Sequence, residues 1–216
     1  RTSVAIGAAT VAAVLMPLTR QLRPIGPYKL LGKVVEGFKR GSKELGWPTA
    51  NLDPAAFENT LDSEEEGVYV GWATVEDGQG GALPPAARVA HKAVLSIGWN
   101  PTFHNEKRTV EAYLCHDFER DFYGADMRLI VCGYVRPQAC HGRTRTSLSH
   151  ASCAPHSDSP VASQEDFFTE GVAYEAAMAT LIEAIAADVE FGKSQLETPE
   201  MLAFRSDPFL AVPVAS

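Results

Sequence analysis

The chain has 216 residues and a formal net charge of −8 at neutral pH. This length suits one well-cored domain with extensions, and the negative charge argues against general binding to nucleic acid or to an anionic membrane. The charge is unevenly placed, because residues 1–48 hold eight Lys and Arg but two acids, whereas residues 164–216 hold ten acids but two bases. The basic N-terminal part therefore predicts an anionic ligand.

Residues 1–28 contain no acid, and residues 4–18 are apolar. The apolar stretch is shorter than the roughly 20 residues that a membrane-spanning helix needs. Residues 1–28 therefore predict an N-terminal extension that is a linker or targeting-like. The chain begins at Arg1 rather than Met, which is equally consistent with a fragment. We expect a cytoplasmic protein, or an organellar one if residues 1–28 are a transit segment.

Residues 37–51 form a basic, glycine-rich segment, GFKRGSKELGWPTAN. Glycines allow a backbone to close over phosphates and lysines supply positive charge, but no G-x-x-x-x-G-K-[ST] loop is present. At the end of the segment, Thr49 and Asn51 offer neutral oxygens of the kind that Mg²⁺ prefers. An isolated P-T-A-N would be read as a turn. Its place after the glycine loop favours a site for a metal-nucleotide.

Several short segments alternate in polarity or are rich in β-branched and aromatic residues, with turn signals between them. They cover residues 30–36, 67–75, 89–97, 108–116 and 127–135. Such a series predicts a small antiparallel sheet closed into a barrel, and the lack of a βαβ rhythm argues against a Rossmann fold. Apolar residues at helical spacing over 175–196 predict an amphipathic helix packed on the barrel, followed by an extended tail at 204–209.

Residues 139–163 are rich in Ser, His, Arg and Thr. A segment of this composition buries too little apolar surface to offset the entropy lost on ordering, so we predict a disordered insertion. The pairs Cys140-His141 and Cys153-x-x-His156 fit no standard zinc spacing, which favours a solvated loop over a zinc site.

Glu111 lies in the middle of the predicted strand 108–116, among apolar neighbours. It is either a solvated residue on the outer face of the sheet or a general base that points into a cleft. His116 follows on the same segment, and no G-x-S-x-G motif accompanies it. We therefore read His116 as a ligand contact or a hydrogen-bonded strand histidine. The D-F-Y-G turn at 121–124 suits stacking on a planar ring or closure of a barrel end.

Ordered blocks over residues 32–137 resemble the riboflavin kinase family, most closely its eukaryotic and plant-type members. The blocks are GKVVEGF at 32–38, RGSKELGWPTANL at 40–52, GVYVGWA at 67–73, SIGWNP at 96–101, DFYG at 121–124 and GYVRP at 133–137. The helix segment 181–188 and the tail 206–209 match as well. The resemblance implies a kinase domain over 29–210 with an all-β fold, a six-stranded antiparallel Greek-key (split) β-barrel with a C-terminal α-helix packed on it.

The resemblance also implies transfer of the ATP γ-phosphate to the 5′-hydroxyl of riboflavin, which makes FMN and ADP. It implies that Glu111 is the general base and that Thr49 and Asn51 bind Mg²⁺, with Zn²⁺ or Mn²⁺ as alternatives. The implied ATP contacts are Gly37, Lys43, Thr49, Asn51, Leu114, His116 and Tyr123. The implied flavin contacts are Arg136 and an aromatic residue, Phe167 or Phe168. We expect a monomer that binds neither nucleic acid nor membrane.

The insertion at 139–163 departs from the family pattern, because it stands where the family has its flavin loop. It is either natural or a gene-prediction artefact. Two other functions stay open. In the first, the chain is the kinase end of a bifunctional protein with an upstream phosphatase. In the second, it is a non-catalytic flavin-binding barrel that the insertion has disabled.

Overall fold

A computed structural model of the chain describes residues 19–37, 46–77, 83–99, 108–138 and 171–212. In these residues six strands form a closed barrel in the order β1-β2-β5-β4-β3-β6, with every neighbouring pair antiparallel. After the β3-β4-β5 meander, β6 returns to lie beside β3, which is the Greek-key connection. The strands are β1 (Arg23–Val35), β2 (Ala50–Leu52), β3 (Gly67–Val75), β4 (His91–Trp99), β5 (Arg108–Leu114) and β6 (Asp126–Pro137).

Two strands differ from the sequence prediction. β1 begins at Arg23 because residues 23–28 also lie along β6, with Arg23 opposite Tyr134 and Tyr28 opposite Val131. Part of the predicted N-terminal extension therefore belongs to the barrel. β2 lies where we predicted only the end of a loop, and it pairs with both β1 and β5. Three residues are too few to display a two-residue polarity period.

The barrel has one core inside and a second between its outer face and the C-terminal helices, α1 (Gly171–Gln195) and α2 (Pro199–Leu202). Val189, Met201 and Trp72 are all buried in the second core, and the Trp72 indole donates to the Met201 carbonyl at 2.9 Å. Burial of each such side chain contributes roughly 1.5–3 kcal/mol. These contacts confirm the predicted helix on the barrel, although Ile182 of the predicted apolar stripe is exposed.

The tail after α2 is helical rather than extended, so that prediction was wrong. It forms 3-10 helices at Ala203–Ser206 and Pro208–Leu210. Asp207 accepts a hydrogen bond from the Phe209 amide at 2.9 Å and Pro208 starts the second turn, because Asp at the cap and Pro at the first position favour helix initiation. No helix in the described residues is long and apolar enough to cross a membrane.

Candidate active site

The strand register brings the predicted metal ligand and the predicted base together. Asn51 of β2 lies directly opposite Glu111 of β5, which in turn lies opposite Ser96 of β4. Directly opposed residues have Cβ atoms about 4.5–5.5 Å apart, so both neighbours are within side-chain reach of Glu111. The same row continues around the barrel in both directions. Its members are Val35, Asn51, Glu111, Ser96, Val68 and Arg136.

This row faces outward. Ala50 and Leu52 of β2 are buried in the inner core, as are Val110 and Ala112 of β5. Because side chains alternate across a strand, Glu111 must project from the outer surface, and the pairing of β2 with β5 puts Asn51 there too. The first alternative for Glu111, a residue on the outer face of the sheet, is therefore correct about the direction in which the side chain points. It does not make Glu111 a solvated residue, as its burial shows.

Glu111 is partly buried. Burial raises the pKa of its carboxyl above the ordinary value near 4.5, because low-dielectric surroundings disfavour the charged form. Burial is the one cause of this shift, with no opposing contribution from a charge or hydrogen bond of the described residues. A carboxylate in this state is a stronger proton acceptor than an exposed glutamate.

Gly37 and Asn51 fit each other closely. A Cβ added at Gly37 would lie 2.3 Å from Nδ2 of Asn51 and 3.0 Å from its Cγ. Only a residue without a side chain leaves the space that the Asn51 amide occupies. Thr49 precedes Asn51 by two residues and lies immediately before β2. A hydroxyl and an amide oxygen are suitable ligands for a hard divalent cation that takes its remaining ligands from phosphate and water.

We expect Gly37→Ala to weaken binding of the metal-nucleotide about tenfold or more with little change in thermal stability. The added methyl group displaces the far end of the Asn51 side chain, and misplaced ligands typically cost 10–100-fold in metal affinity. Isothermal titration with MgADP measures the effect. Because Gly37→Ala acts through the Asn51 side chain, it should not weaken MgADP binding further when Asn51 is already replaced by alanine. Full additivity of the two substitutions would contradict this explanation.

The other predicted nucleotide contacts gather at the end of β5. Leu114 is buried at the end of the strand, and its carbonyl accepts a hydrogen bond from the His116 amide at 2.7 Å. Tyr123 is 41 % exposed and precedes Gly124, whose φ of +75° suits glycine. The Gly124 amide donates to the Val34 carbonyl at 2.8 Å, which ties this turn to β1. These three residues thus lie at one end of the barrel.

Arg136 lies in the same row as Glu111, but its guanidinium is engaged elsewhere. It is 6 % exposed and makes two hydrogen bonds to Asp188 of α1, from Nε to Oδ1 at 2.9 Å and from Nη2 to Oδ2 at 2.5 Å. Its Nη1 donates to the Pro137 carbonyl at 2.8 Å. The described contacts of Arg136 are therefore structural, and its role as a flavin contact stays a prediction. Lys43, Phe167, Phe168 and the insertion at 139–163 lie outside the described residues.

Sequence reasoning did not single out several residues that surround the site. Ser96 belongs to the SIGWNP block, but its position opposite Glu111 follows from the pairing of β4 with β5 and cannot be seen in the sequence. Trp47 packs edge-on against Tyr113, with ring centroids 5.1 Å apart, so it fastens the end of the glycine-rich segment to β5. A tryptophan inside an otherwise polar, glycine-rich segment was the available signal for that contact.

Comparisons with known proteins identify the family and the fold. The family model described as flavokinase (riboflavin kinase) matches residues 25–145. Over 186 residues the chain is 34 % identical to human riboflavin kinase, which covers 86 % of this chain and 92 % of the human protein. It is 36 % identical to a bifunctional riboflavin kinase/FMN phosphatase of Arabidopsis thaliana, of which it spans 38 %. The crystal structure of riboflavin kinase from Trypanosoma brucei superposes with a TM-score of 0.51 and 26 % identity, covering 88 % of this chain and 95 % of that one.

Proposed function

Because the chain belongs to the riboflavin kinase family, we propose that it transfers the γ-phosphate of ATP to the 5′-hydroxyl of riboflavin and so makes FMN. The observation that carries the proposal is the direct opposition of Asn51 and Glu111 on the outer face of the barrel. In that arrangement Asn51, which we propose as a ligand for the metal-nucleotide, lies next to the partly buried carboxyl of Glu111.

In this proposal Glu111 orients the 5′-hydroxyl of riboflavin and accepts its proton. The hydroxyl oxygen forms a bond to the γ-phosphorus while the bond from that phosphorus to the β–γ bridging oxygen breaks. The bridging oxygen leaves with ADP, and the phosphate stays on the flavin. Thr49 and Asn51 would hold a divalent cation, with Mg²⁺ as the expected one, and that cation supplies neutralisation of the phosphate charge.

The test is a kinase assay of the full chain with riboflavin and MgATP, in which FMN and ADP are separated and quantified. Equimolar FMN and ADP that depend on both substrates support the proposal. Binding of riboflavin without turnover would instead support a non-catalytic flavin-binding barrel. A parallel assay of FMN hydrolysis by the same preparation separates the kinase from a contaminating phosphatase.

The raised pKa of Glu111 predicts the pH dependence of the reaction. A base acts when it is ionised, so activity falls as the pH drops through the pKa of its carboxyl. Because burial raises that pKa above about 4.5, the acid limb of kcat/KM for riboflavin should lie above pH 4.5. Initial rates at saturating MgATP, measured from pH 4.5 to pH 8, locate the limb. A rate that stays constant down to pH 4.5 would contradict the role given to Glu111.

A further inference from the structure

A pair of histidines stacks at the end of the barrel where the predicted nucleotide contacts lie. His91 is the first residue of β4, and His116 follows the end of β5. Their ring centroids are 4.3 Å apart and the ring planes differ by 19°. A hydrogen bond of 2.9 Å from the Cys115 amide to the Lys92 carbonyl continues the β4–β5 pairing up to this point. The backbone itself therefore brings the two rings face to face.

The stack belongs to a cluster of four rings. Phe118 meets both histidines edge-on, at 5.8 Å from His91 and 4.8 Å from His116, and it also contacts Phe122 at 4.6 Å. Three of these rings come from the segment between β5 and β6, which also carries Tyr123. His91 alone of the four stands on a strand. It is thus the partner whose backbone position the barrel determines.

The ring of His91 also forms hydrogen bonds with the backbone at Ala86 and Ala87, but one of its nitrogens is unused. Its Nε2 is buried and has no hydrogen-bond partner among the described residues, and such a group calls for an explanation. Burial, with the nearby His116, holds the pKa of His91 below its ordinary value, so the ring is neutral near pH 7. The other charged or titratable groups beside it line an adjoining cleft of about 300 Å³. They are Lys92, Cys115, Lys193 and Arg205. A neutral flat ring without a hydrogen bond at Nε2 is suited to stacking.

We propose that His91 is a positioning residue for nucleotide binding, because its ring holds His116 and the following segment in place. The inference rests on the proposed function and on the ATP contacts of His116 and Tyr123 that the family resemblance implies. His91 itself need not touch the substrate. Stacked or edge-on ring pairs change an equilibrium by about 3- to 10-fold, which sets the size of the effect.

The test compares His91→Leu, which fills the space without an aromatic face, with His91→Phe, which keeps one. We expect His91→Leu to raise the Kd for MgADP and the KM for MgATP about 3- to 10-fold. The KM for riboflavin and kcat should change less than twofold, and His91→Phe should stay within twofold of the parent in all four. Val89→Ala, at an exposed position two residues earlier, serves as the matched control and should change none of them.

Several results would overturn the proposal. An unchanged Kd for MgADP in His91→Leu would remove His91 from nucleotide binding. Equal impairment of His91→Leu and His91→Phe would indicate a polar role for the imidazole rather than a stacking one. An equal rise in the KM for riboflavin would indicate general loss of structure. If the chain has no kinase activity, the proposed function fails, yet the MgADP titrations of the three variants still decide the role of His91.

Discussion

Glu111→Gln should lower kcat for riboflavin phosphorylation by about 10²-fold or more, as expected for the loss of a positioned general base. Glutamine keeps the shape of the side chain but cannot accept the proton. Binding of MgADP should persist, because Asn51 and Thr49 are unchanged. Steady-state kinetics at saturating riboflavin and MgATP, together with a MgADP titration, measure both quantities.

The same substitution should not weaken the fold. The carboxyl of Glu111 has a raised pKa in the folded state, so its ionised form opposes folding above the unfolded pKa, and a neutral amide removes that cost. The melting temperature of Glu111→Gln should therefore equal or exceed that of the parent at pH 7. Glu58→Gln, at an exposed position, is the matched control for both assays. A kcat within threefold of the parent would remove Glu111 from the mechanism.

Asp188→Asn should destabilise the protein by about 3–5 kcal/mol, the usual cost of removing one partner of a buried ion pair. The Asp188 carboxylate is 5 % exposed and binds Arg136, and it also accepts a hydrogen bond from Nε of Arg20 at 2.7 Å. It thus joins β6 and the residues before β1 to α1. In Asp188→Asn the guanidinium of Arg136 stays buried beside a neutral amide, which cannot balance its positive charge. For a chain of this size we expect the melting temperature to fall by roughly 10 °C.

The matched control is Asp126→Asn, which removes the same charge from an exposed pair. Lys33 and Asp126 are 2.7 Å apart, with side chains 56 % and 36 % exposed. Such surface pairs are worth about 0.2–1 kcal/mol, so the melting temperature should change by a few degrees at most. Thermal unfolding followed by circular dichroism compares the two variants. Equal shifts would show that burial does not set the strength of the Asp188 pairs.

Local patterns predicted the strands that are long and regular. Gly67–Val75 matches β3 residue for residue, and the other long segments agree within a few positions except for the start of β1. The two misses share a physical cause. β2 has three residues, and the first half of β1 is a mixed, largely exposed strand whose partner lies about 100 residues away. Such segments become strands because a distant partner supplies hydrogen bonds, and no local periodicity reports that partner.

The same distinction between local pattern and distant contact holds for the candidate site. Residue types and order alone were enough to identify a basic glycine-rich segment that ends in Thr49 and Asn51, a mid-strand carboxylate at Glu111, and the family that they resemble. The register that makes Asn51 and Ser96 neighbours of Glu111, the pairing of Arg136 with Asp188, and the stack of His91 on His116 follow only from the closed barrel and its helix. These contacts join residues far apart in the chain, and closure of the barrel determines which of them meet.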